Sequence, residues 1–427
     1  MCREYEGFMF RVFSFIYDIL ATICFILFYP LVAISRLHTG KDSGTRKIKL
    51  GIFKKPDLKD SVIMFHAVSV GEVLSLEKLL KKAKESFPES SIVLTTGTKT
   101  GQELAYKKYS EMLDFITYFP FDFPFAVKNF LNRINPNIVI IAETELWPNF
   151  AMHCKKRSIP LLIINGRISD SSYGSYRLLK PFFAPVLNLY TNIYTQSDLD
   201  NERFISLGNN PENTQVMANL KFDIEKVESD IDLKSGKNKT LIAGSTHSGE
   251  NEIILDVYNN LKQTHSDLKL IIAPRHMERI PEIEQILKKY DFKTGYRSKS
   301  DTFENNDIII LDTFGELKKS YAICDIAFIG GSFNKTGGHN PLEAAIYNVP
   351  TITGPNIKNF RDIYGILIRA NASKLVKTKQ ELNNLLEDLL SDTNKLNEMT
   401  NACKSVFDKQ RGAIDFVINK IKQFLSE

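Results

Sequence analysis

A repeated alternation of short apolar runs with amphipathic segments is the feature that most limits how this chain can fold. The apolar runs lie at 61–65, 91–95, 137–142 and 160–164, and again at 240–243, 268–273, 307–311, 326–329 and 350–353. Uninterrupted apolar runs separated by helical segments are typical of parallel strands that are buried on both faces. Two series of such units predict two doubly wound α/β domains.

A polar segment without long apolar runs separates the two series. The chain has 427 residues, which is enough for two or three domains of about 150 residues. We place an N-terminal anchor with a basic flank at 1–45 and a Rossmann-like domain at 46–225. A linker follows at 226–239, and a second Rossmann-like domain at 240–427 includes the C-terminal helices.

The N-terminal segment predicts membrane attachment. Asp18 is the only charged residue between positions 12 and 34, and this length is sufficient to cross a bilayer. Arg36, Lys41 and Arg46 follow the segment, which favours a membrane-anchored protein with its main body in the cytoplasm. An interfacial helix that lies on the membrane is the alternative interpretation.

Charge and composition argue against several other classes. The net charge of +5 is too small to indicate a nucleic-acid partner. The five cysteines and seven histidines show no spacing typical of a metal site. We therefore expect neither a bound metal nor a cofactor.

Polar residues follow the predicted strands, at the edge where open α/β sheets bind ligands. Glu72 follows the first strand and lies near a helix start, where a carboxylate either stabilises the helix or acts as a general base. Lys99 lies between two glycines in a loop suited to an anion or a sugar. Glu143, in the segment ETELWPN, is either a second functional carboxylate or a support for the Glu72 loop.

The second domain has the stronger signal, because three of its loops predict a nucleotide site. Arg275 follows a strand and can bind a phosphate through two hydrogen bonds. The loop DTFGEL offers backbone amides to a base or phosphate. In the glycine-rich segment 328–343, Asn340 and Pro341 predict a helix start that favours a phosphate, and Glu343 can accept hydrogen bonds from ribose.

Together these segments resemble the bacterial 3-deoxy-D-manno-octulosonic acid (Kdo) transferases. The similar motifs are HAVSVGE, ETELWPN, NGRIS, AGSTHSGE, PRHMER, DTFGEL and GGHNPLE, in family order from about residue 60 to 360. The chain departs from the family pattern at Ala218, where glycine is usual, and at Phe314, where methionine is common.

The resemblance implies a GT-B fold, with two Rossmann-like domains facing a cleft, and a membrane-bound glycosyltransferase of lipopolysaccharide biosynthesis. It implies inverting, metal-independent transfer of Kdo from CMP-Kdo to the lipid A precursor lipid IVA, with Glu72 as the catalytic base. The residues that it implies for CMP binding are Pro274, Arg275, Phe314, Gly315, Glu316, Asn340, Pro341, Leu342 and Glu343. Glu143, Lys99 and Arg167 are candidates for acceptor binding or support.

Two other functions are compatible with the residues alone. One is a different GT-B enzyme, such as another nucleotide-sugar transferase or an epimerase. The other is a membrane-anchored nucleotide-binding protein without catalytic activity.

Overall fold

The chain folds into two compact α/β units. The computed structural model describes residues 15, 17–19, 22, 43–231, 233 and 238–426. One unit extends to Asp223 and also includes the residues from Arg411 onward, and the other unit is Ile224–Gln410. Each unit contains a seven-stranded sheet in which all neighbouring strands are parallel. The prediction of two parallel-sheet α/β domains is confirmed.

The sheet of the first unit has the order β3-β2-β1-β4-β5-β6-β7. Its strands are β1 (Ser61–Ala67), β2 (Ser90–Thr96), β3 (Phe115–Tyr118), β4 (Ile138–Ala142), β5 (Leu161–Gly166), β6 (Asn192–Thr195) and β7 (Thr214–Val216). Its helices are α1 (Ser43–Lys49), α2 (Val70–Ser75), α3 (Glu77–Ser86), α4 (Lys99–Tyr109), α5 (Pro124–Ile134), α6 (Pro148–Lys156), α7 (Asp170–Leu178), α8 (Lys180–Leu187) and α9 (Asp198–Ser206).

Both faces of this sheet are buried, which explains why its strands are uninterrupted apolar runs. Side chains of a strand point alternately to opposite faces. On β1, Ile63 and Phe65 therefore enter one hydrophobic core, whereas Val62 and Met64 enter a second core on the other face.

The sheet of the second unit has the order β10-β11-β9-β8-β12-β13-β14. Its strands are β8 (Thr240–Thr246), β9 (Lys269–Pro274), β10 (Thr294–Tyr296), β11 (Ile308–Ile310), β12 (Ile326–Ile329), β13 (Thr351–Thr353) and β14 (Ser373–Leu375). Its helices are α10 (Glu250–Leu261), α11 (Ile280–Leu287), α12 (Leu317–Ser320), α13 (Leu342–Ala345), α14 (Arg361–Arg369), α15 (Lys379–Ser391) and α16 (Thr393–Gln410).

In each sheet the strand order reverses at the strand that comes first in the chain. In the first unit β1 lies between β2 and β4, and in the second unit β8 lies between β9 and β12. Chain connections leave the sheet in opposite directions at such a point, and this opens a crevice at the carboxyl ends of the strands. The loops after β1 and β4, and those after β8 and β12, flank these two crevices.

The last helix, α17 (Ala413–Ser426), belongs to the first unit. Its buried residues Val417, Ile418 and Ile421 lie in the same core as Leu80 of α3. Both carboxylate oxygens of Asp223 accept hydrogen bonds from the backbone at its start, at 2.6 Å from the amide nitrogens of Gly412 and Ile414. The assignment of every C-terminal helix to the domain 240–427 is therefore wrong for this helix.

Two residues of the predicted linker are buried, whereas a linker is expected to be solvated. Ile231 and Leu233 are buried in a hydrophobic core of the second unit. These two residues therefore pack as part of the second unit.

The predicted anchor at 12–34 lies almost wholly outside the described residues. Among the residues that are described, no helix combines the length and apolar character needed to cross a bilayer. Tyr17 and Asp18 are described, and both contact the first unit: the Tyr17 hydroxyl donates to Asp122 at 3.0 Å, and Asp18 accepts from the Asn149 amide at 2.6 Å.

Candidate functional site

A cavity of about 340 Å³ lies at the carboxyl edge of the second sheet. Its lining residues come from the ends of β8, β9 and β11 and the loops that follow them: Ser245, Ala273, Pro274, Arg275, His276, Met277, Leu311, Thr313, Phe314, Gly315 and Leu317. Four of the predicted nucleotide-binding residues, Pro274, Arg275, Phe314 and Gly315, are therefore together in one cavity.

Arg275 is the cation of this cavity best placed to meet a ligand. Its backbone amide donates to the Thr246 carbonyl at 3.0 Å, which fixes the end of β9 beside the end of β8. Its guanidinium is exposed and makes no hydrogen bond or ion pair with the residues that the structure describes. The full donor set of this side chain is therefore open to an anion.

Glu343 lies near this arginine. Burial raises the pKa of its carboxyl, while the positive charges of Lys318 and Arg275 act in the opposite direction. The Lys318 ammonium is 3.6 Å from the nearer Glu343 oxygen. A partly buried carboxyl of this kind is suited to accept hydrogen bonds from neutral hydroxyls, as expected for a ribose contact.

The loop after β11 presents an aromatic ring and holds its glutamate in place. Phe314 is 88% exposed, and Gly315 has φ +80°, a conformation that favours glycine. Glu316 accepts from Arg297 at 3.1 Å and from the Thr313 hydroxyl. Glu316 therefore organises this loop through its side chain, and the exposed Phe314 ring is available to a flat ligand such as a base.

The glycine-rich loop after β12 ends in a helix that is shorter than the sequence suggests. Asn340 accepts from the Leu342 amide at 3.1 Å in a turn just before the helix. The cap position is Pro341, which has no side-chain cap bond, and α13 contains only Leu342–Ala345. Since a single turn has a much smaller dipole than a full helix, Arg275 is left as the main source of positive charge for a phosphate.

Glu250 is a structural residue of this site that sequence reasoning did not identify. It is fully buried at the start of α10 and accepts four backbone hydrogen bonds. The donors are the amides of Gly331 (2.7 Å), Ser332 (2.9 Å), Phe333 (3.0 Å) and His247 (2.9 Å). One carboxylate therefore holds the loop after β8 against the loop after β12. The sequence signal that could have identified Glu250 is its position as the acidic residue at the end of the motif AGSTHSGE.

Glu72 in the first unit lies at the start of α2, which follows β1. Its two carboxylate oxygens accept from the Val68 amide and the Ser69 hydroxyl, each at 2.7 Å, while Ser69 caps the helix. This is close to a capping box, so the stabilising interpretation of Glu72 has a structural basis. Each oxygen keeps a second lone pair, and the side chain is 8% exposed.

Two further carboxylates follow β4, on the other side of the reversal point of the first sheet. Glu143 has φ +59° and lies 3.9 Å from the Lys221 ammonium. Glu145 was not singled out from the sequence. Burial, together with repulsion from Glu72 and Glu143, raises its pKa to about 7. The two loops thus bring three acidic groups within electrostatic range of one another.

The remaining two predicted residues occupy different positions. Lys99 is 3.7 Å from Glu103 in an exposed i,i+4 pair on α4, an arrangement typical of a solvated helix surface. Arg167 follows β5, and its backbone amide donates to the Thr144 hydroxyl at 2.8 Å. Arg167 therefore adjoins the loop that contains Glu143, whereas Lys99 has a surface ion pair.

Comparison with solved structures agrees with this two-unit architecture. The UDP-GlcNAc 2-epimerase of Neisseria meningitidis, bound to UDP-GlcNAc, aligns with a TM-score of 0.52 at 10% identity, over 85% of this chain and 100% of that one. At this identity the likeness shows the fold alone. The C-terminal CMP-Kdo binding domain of WaaA from Acinetobacter baumannii aligns at 29% identity and a TM-score of 0.38, over 40% of this chain and 89% of that one.

The fold and its two strand-end sites define a class of two-domain α/β proteins, and sequence comparison identifies the family within that class. The family model of 3-deoxy-D-manno-octulosonic-acid transferase (kdotransferase) matches residues 45–224. The 3-deoxy-D-manno-octulosonic acid transferase of Haemophilus influenzae is 34% identical over 85% of this chain and 87% of its own length. A bifunctional glycosyltransferase/methyltransferase of Fusobacterium nucleatum is 38% identical over 83% of this chain and 56% of its own length.

The chain belongs to the Kdo transferase family. The resemblance stated from the sequence motifs is confirmed, and so is the prediction that this is a glycosyltransferase.

Proposed function

We propose that the chain transfers Kdo from CMP-Kdo to lipid IVA by inverting displacement, with Glu72 as the general base. The observation that most supports this proposal is the cavity in the second unit, where Arg275, Phe314 and Gly315 meet with Glu343 nearby. These groups suit the parts of a nucleotide: a guanidinium for the phosphate, an exposed ring for the base and a carboxyl for ribose hydroxyls.

The reaction needs only groups that the chain possesses. A hydroxyl of the acceptor attacks the anomeric carbon of Kdo and forms the new C–O bond. The bond between that carbon and the phosphate oxygen breaks, and CMP leaves with the electron pair. Arg275 neutralises part of the charge on the leaving phosphate. The hydroxyl proton passes to Glu72, whose free lone pairs allow it to accept. This route uses no metal and no cofactor, which stays a prediction.

The test compares Glu72→Gln with Glu77→Gln in a transfer assay that uses CMP-Kdo and lipid IVA. Glutamine retains the shape of the side chain and one acceptor oxygen, so α2 is largely preserved, but it cannot take the proton. We expect a loss of transfer of at least about a hundredfold for Glu72→Gln, as for other general bases, with CMP binding unchanged.

Glu77 is the matched control, because its partners are the two exposed lysines Lys81 and Lys108. Near-wild-type transfer by Glu72→Gln would refute its role as the base. In that case the same measurement on Glu145→Gln would show whether the neighbouring carboxyl is the base.

Membrane attachment is a further part of the proposal. The segment 12–34 would anchor the protein at the bacterial inner membrane, with the catalytic body in the cytoplasm beside its lipid acceptor. The basic residues between Arg36 and Lys49 would add attraction to anionic lipids. Flotation of the full chain with anionic vesicles tests this, and a chain that lacks residues 1–42 should remain at the bottom of the gradient.

A further inference from the structure

Two histidines meet at the point where the strand order of the second sheet reverses. His247 follows β8 and His339 follows β12, the two neighbouring strands that flank this point. Their Nε2 atoms are 2.8 Å apart, and their rings lie nearly parallel, at 12°, with centroids 5.1 Å apart. Open α/β sheets bind ligands at this position, so the pair occupies a place where a ligand is expected.

The main chain is shaped to bring the two rings together. A Cβ atom on Gly330 would lie 2.4 Å from the Ser245 carbonyl oxygen, and one on Gly331 would lie 2.9 Å from the His339 ring. A side chain at Gly330 would push the loop after β12 away from β8, and one at Gly331 would displace the His339 ring. The bonds from both loops to Glu250 add a second constraint. The His247–His339 pair is therefore held by its backbone.

Cations surround the pair on the side of β9. Arg275 and His276 follow β9, and Arg279 lies one turn further along the chain. Burial is the largest cause that lowers the pKa of both imidazoles. Arg275 and His276 lower both pKa values further, Arg279 lowers that of His247, and His247 lowers that of His339. For His339 the pKa falls to about 4. Glu250 acts in the opposite direction on His247, but its carboxylate already accepts four backbone hydrogen bonds. Both rings are therefore neutral near pH 7.

In a neutral pair one ring donates its Nε2–H to the bare Nε2 of the other ring, whose own proton is on Nδ1. An additional proton would have to occupy the Nδ1 atom of the donating ring. The buried hydroxyl oxygen of Thr246, immediately before His247, has no hydrogen-bond partner among the described residues. Thr246 therefore retains unused polar capacity at the carboxyl end of β8.

We propose that the His247–His339 pair is an anion subsite that takes up a proton when a phosphate binds beside Arg275. The phosphate offsets the positive charge of Arg275 and Arg279, and this lessens the repulsion that adds to burial in keeping the imidazoles neutral. The protonated pair then adds a positive charge next to the ligand. This inference rests on the proposed function in that the phosphate is taken to be that of a cytidine nucleotide.

Calorimetric titration of the full chain with CMP at pH 7, in buffers that differ in ionisation enthalpy, measures the protons exchanged on binding. We expect net uptake of a proton fraction by the wild-type protein. The phosphate of CMP would itself release protons on meeting cations, so uptake must come from the protein. Cytidine, which has no phosphate, should bind without uptake.

The variants His247→Gln and His339→Gln should each lose most of the uptake. At pH 6 they should bind CMP roughly tenfold more weakly, which corresponds to one charge-assisted hydrogen bond. His265→Gln is the matched control, because His265 lies in the same unit and has Glu387 at 3.2 Å as its partner. Thermal unfolding of each variant identifies any that fails to fold, and the other member of the pair then provides the test.

Each other result contradicts the inference. Wild-type binding without uptake, or uptake that survives in both variants of the pair, would refute the subsite but leave the proposed function intact. Uptake that disappears in His276→Gln instead would assign the proton to that exposed ring. No binding of CMP by the wild-type protein would refute the subsite and the proposed nucleotide site together.

Discussion

Replacement of Arg275 should weaken CMP binding strongly without changing the stability of the fold. The guanidinium makes no hydrogen bond or ion pair with the described residues, and it borders the cavity of the second unit. Each charge-assisted hydrogen bond between a guanidinium and a phosphate contributes about 1.5–3 kcal/mol. Because Arg275 is exposed, we take the lower value for each of two bonds, about 3 kcal/mol in total. This corresponds to roughly hundredfold weaker binding in Arg275→Ala.

Arg275→Lys separates charge from geometry. Lysine keeps the positive charge but loses the planar fork, so about half of the energy should remain and binding should weaken roughly tenfold. Titration calorimetry with CMP measures both values. Urea unfolding should change by less than about 0.5 kcal/mol, as for surface substitutions without lost contacts.

The control is Arg369→Ala, which removes an exposed arginine at the end of α14 in the same unit. It should leave CMP affinity unchanged. Wild-type affinity in Arg275→Ala would refute the assignment of the phosphate to this side chain. A large loss of stability in the same variant would show that the guanidinium has a structural role instead.

Three further predictions concern the first unit. The pKa of Glu145 is raised to about 7 in the folded protein. Between the ordinary carboxyl range and pH 7, the folded state therefore binds more protons than the unfolded state. The free energy of unfolding falls as pH rises through this window. Glu145→Gln should therefore stabilise the protein more at pH 8 than at pH 5, by an amount on the order of 1 kcal/mol after solvent screening. Urea unfolding measures this difference, and an equal effect at both pH values would contradict the prediction. Ala218 has φ +71°, a conformation that costs a residue with a Cβ atom about 1 kcal/mol. Ala218→Gly should therefore raise the free energy of unfolding. A lower free energy of unfolding would show that the chain flexibility of glycine outweighs the relief of backbone strain. Ile421→Ala removes a fully buried side chain of α17 and should lower the free energy of unfolding by about 2–5 kcal/mol, whereas a change below 0.5 kcal/mol would mean that this helix is not part of the core.

The sequence predicted the central strands well, because burial on both faces makes them continuous apolar runs. All nine predicted runs lie within or overlap observed strands. The strands that were not predicted, β3, β6, β7, β10 and β14, have only three or four residues each. In β10 only the middle residue of TGY is buried, so such a segment has no clear apolar signal. Short strands at or next to a sheet edge depend on neighbours that are distant in the chain.

The position of α17 could not be derived from its own residues. Its apolar residues at 413, 417, 418 and 421 predict a helix with one buried face. They do not specify which of two apolar sheets that face covers. The pairing of Asp223 with the start of α17 depends on residues almost two hundred positions apart, and no local pattern indicates it.

In the candidate sites too, local sequence patterns predicted some residues, whereas others depend on contacts between distant parts of the chain. Arg275 and the loop DTFGEL were predicted because each follows a strand, and parallel strands end at one edge of the sheet. Within that loop, Phe314 and Gly315 were named by the family resemblance. Glu250 and the His247–His339 pair were not predicted, since their roles depend on which strands are neighbours. Only the strand order shows that the loops after β8 and β12 adjoin.

Mass spectrometry of lipid IVA after incubation with the purified full chain and CMP-Kdo tests the central claim most directly. The account predicts a mass increase by one or more whole Kdo residues, which requires CMP-Kdo and is lost in Glu72→Gln and Arg275→Ala. Unmodified lipid IVA, with CMP-Kdo intact and the protein folded, would contradict the proposed donor and acceptor.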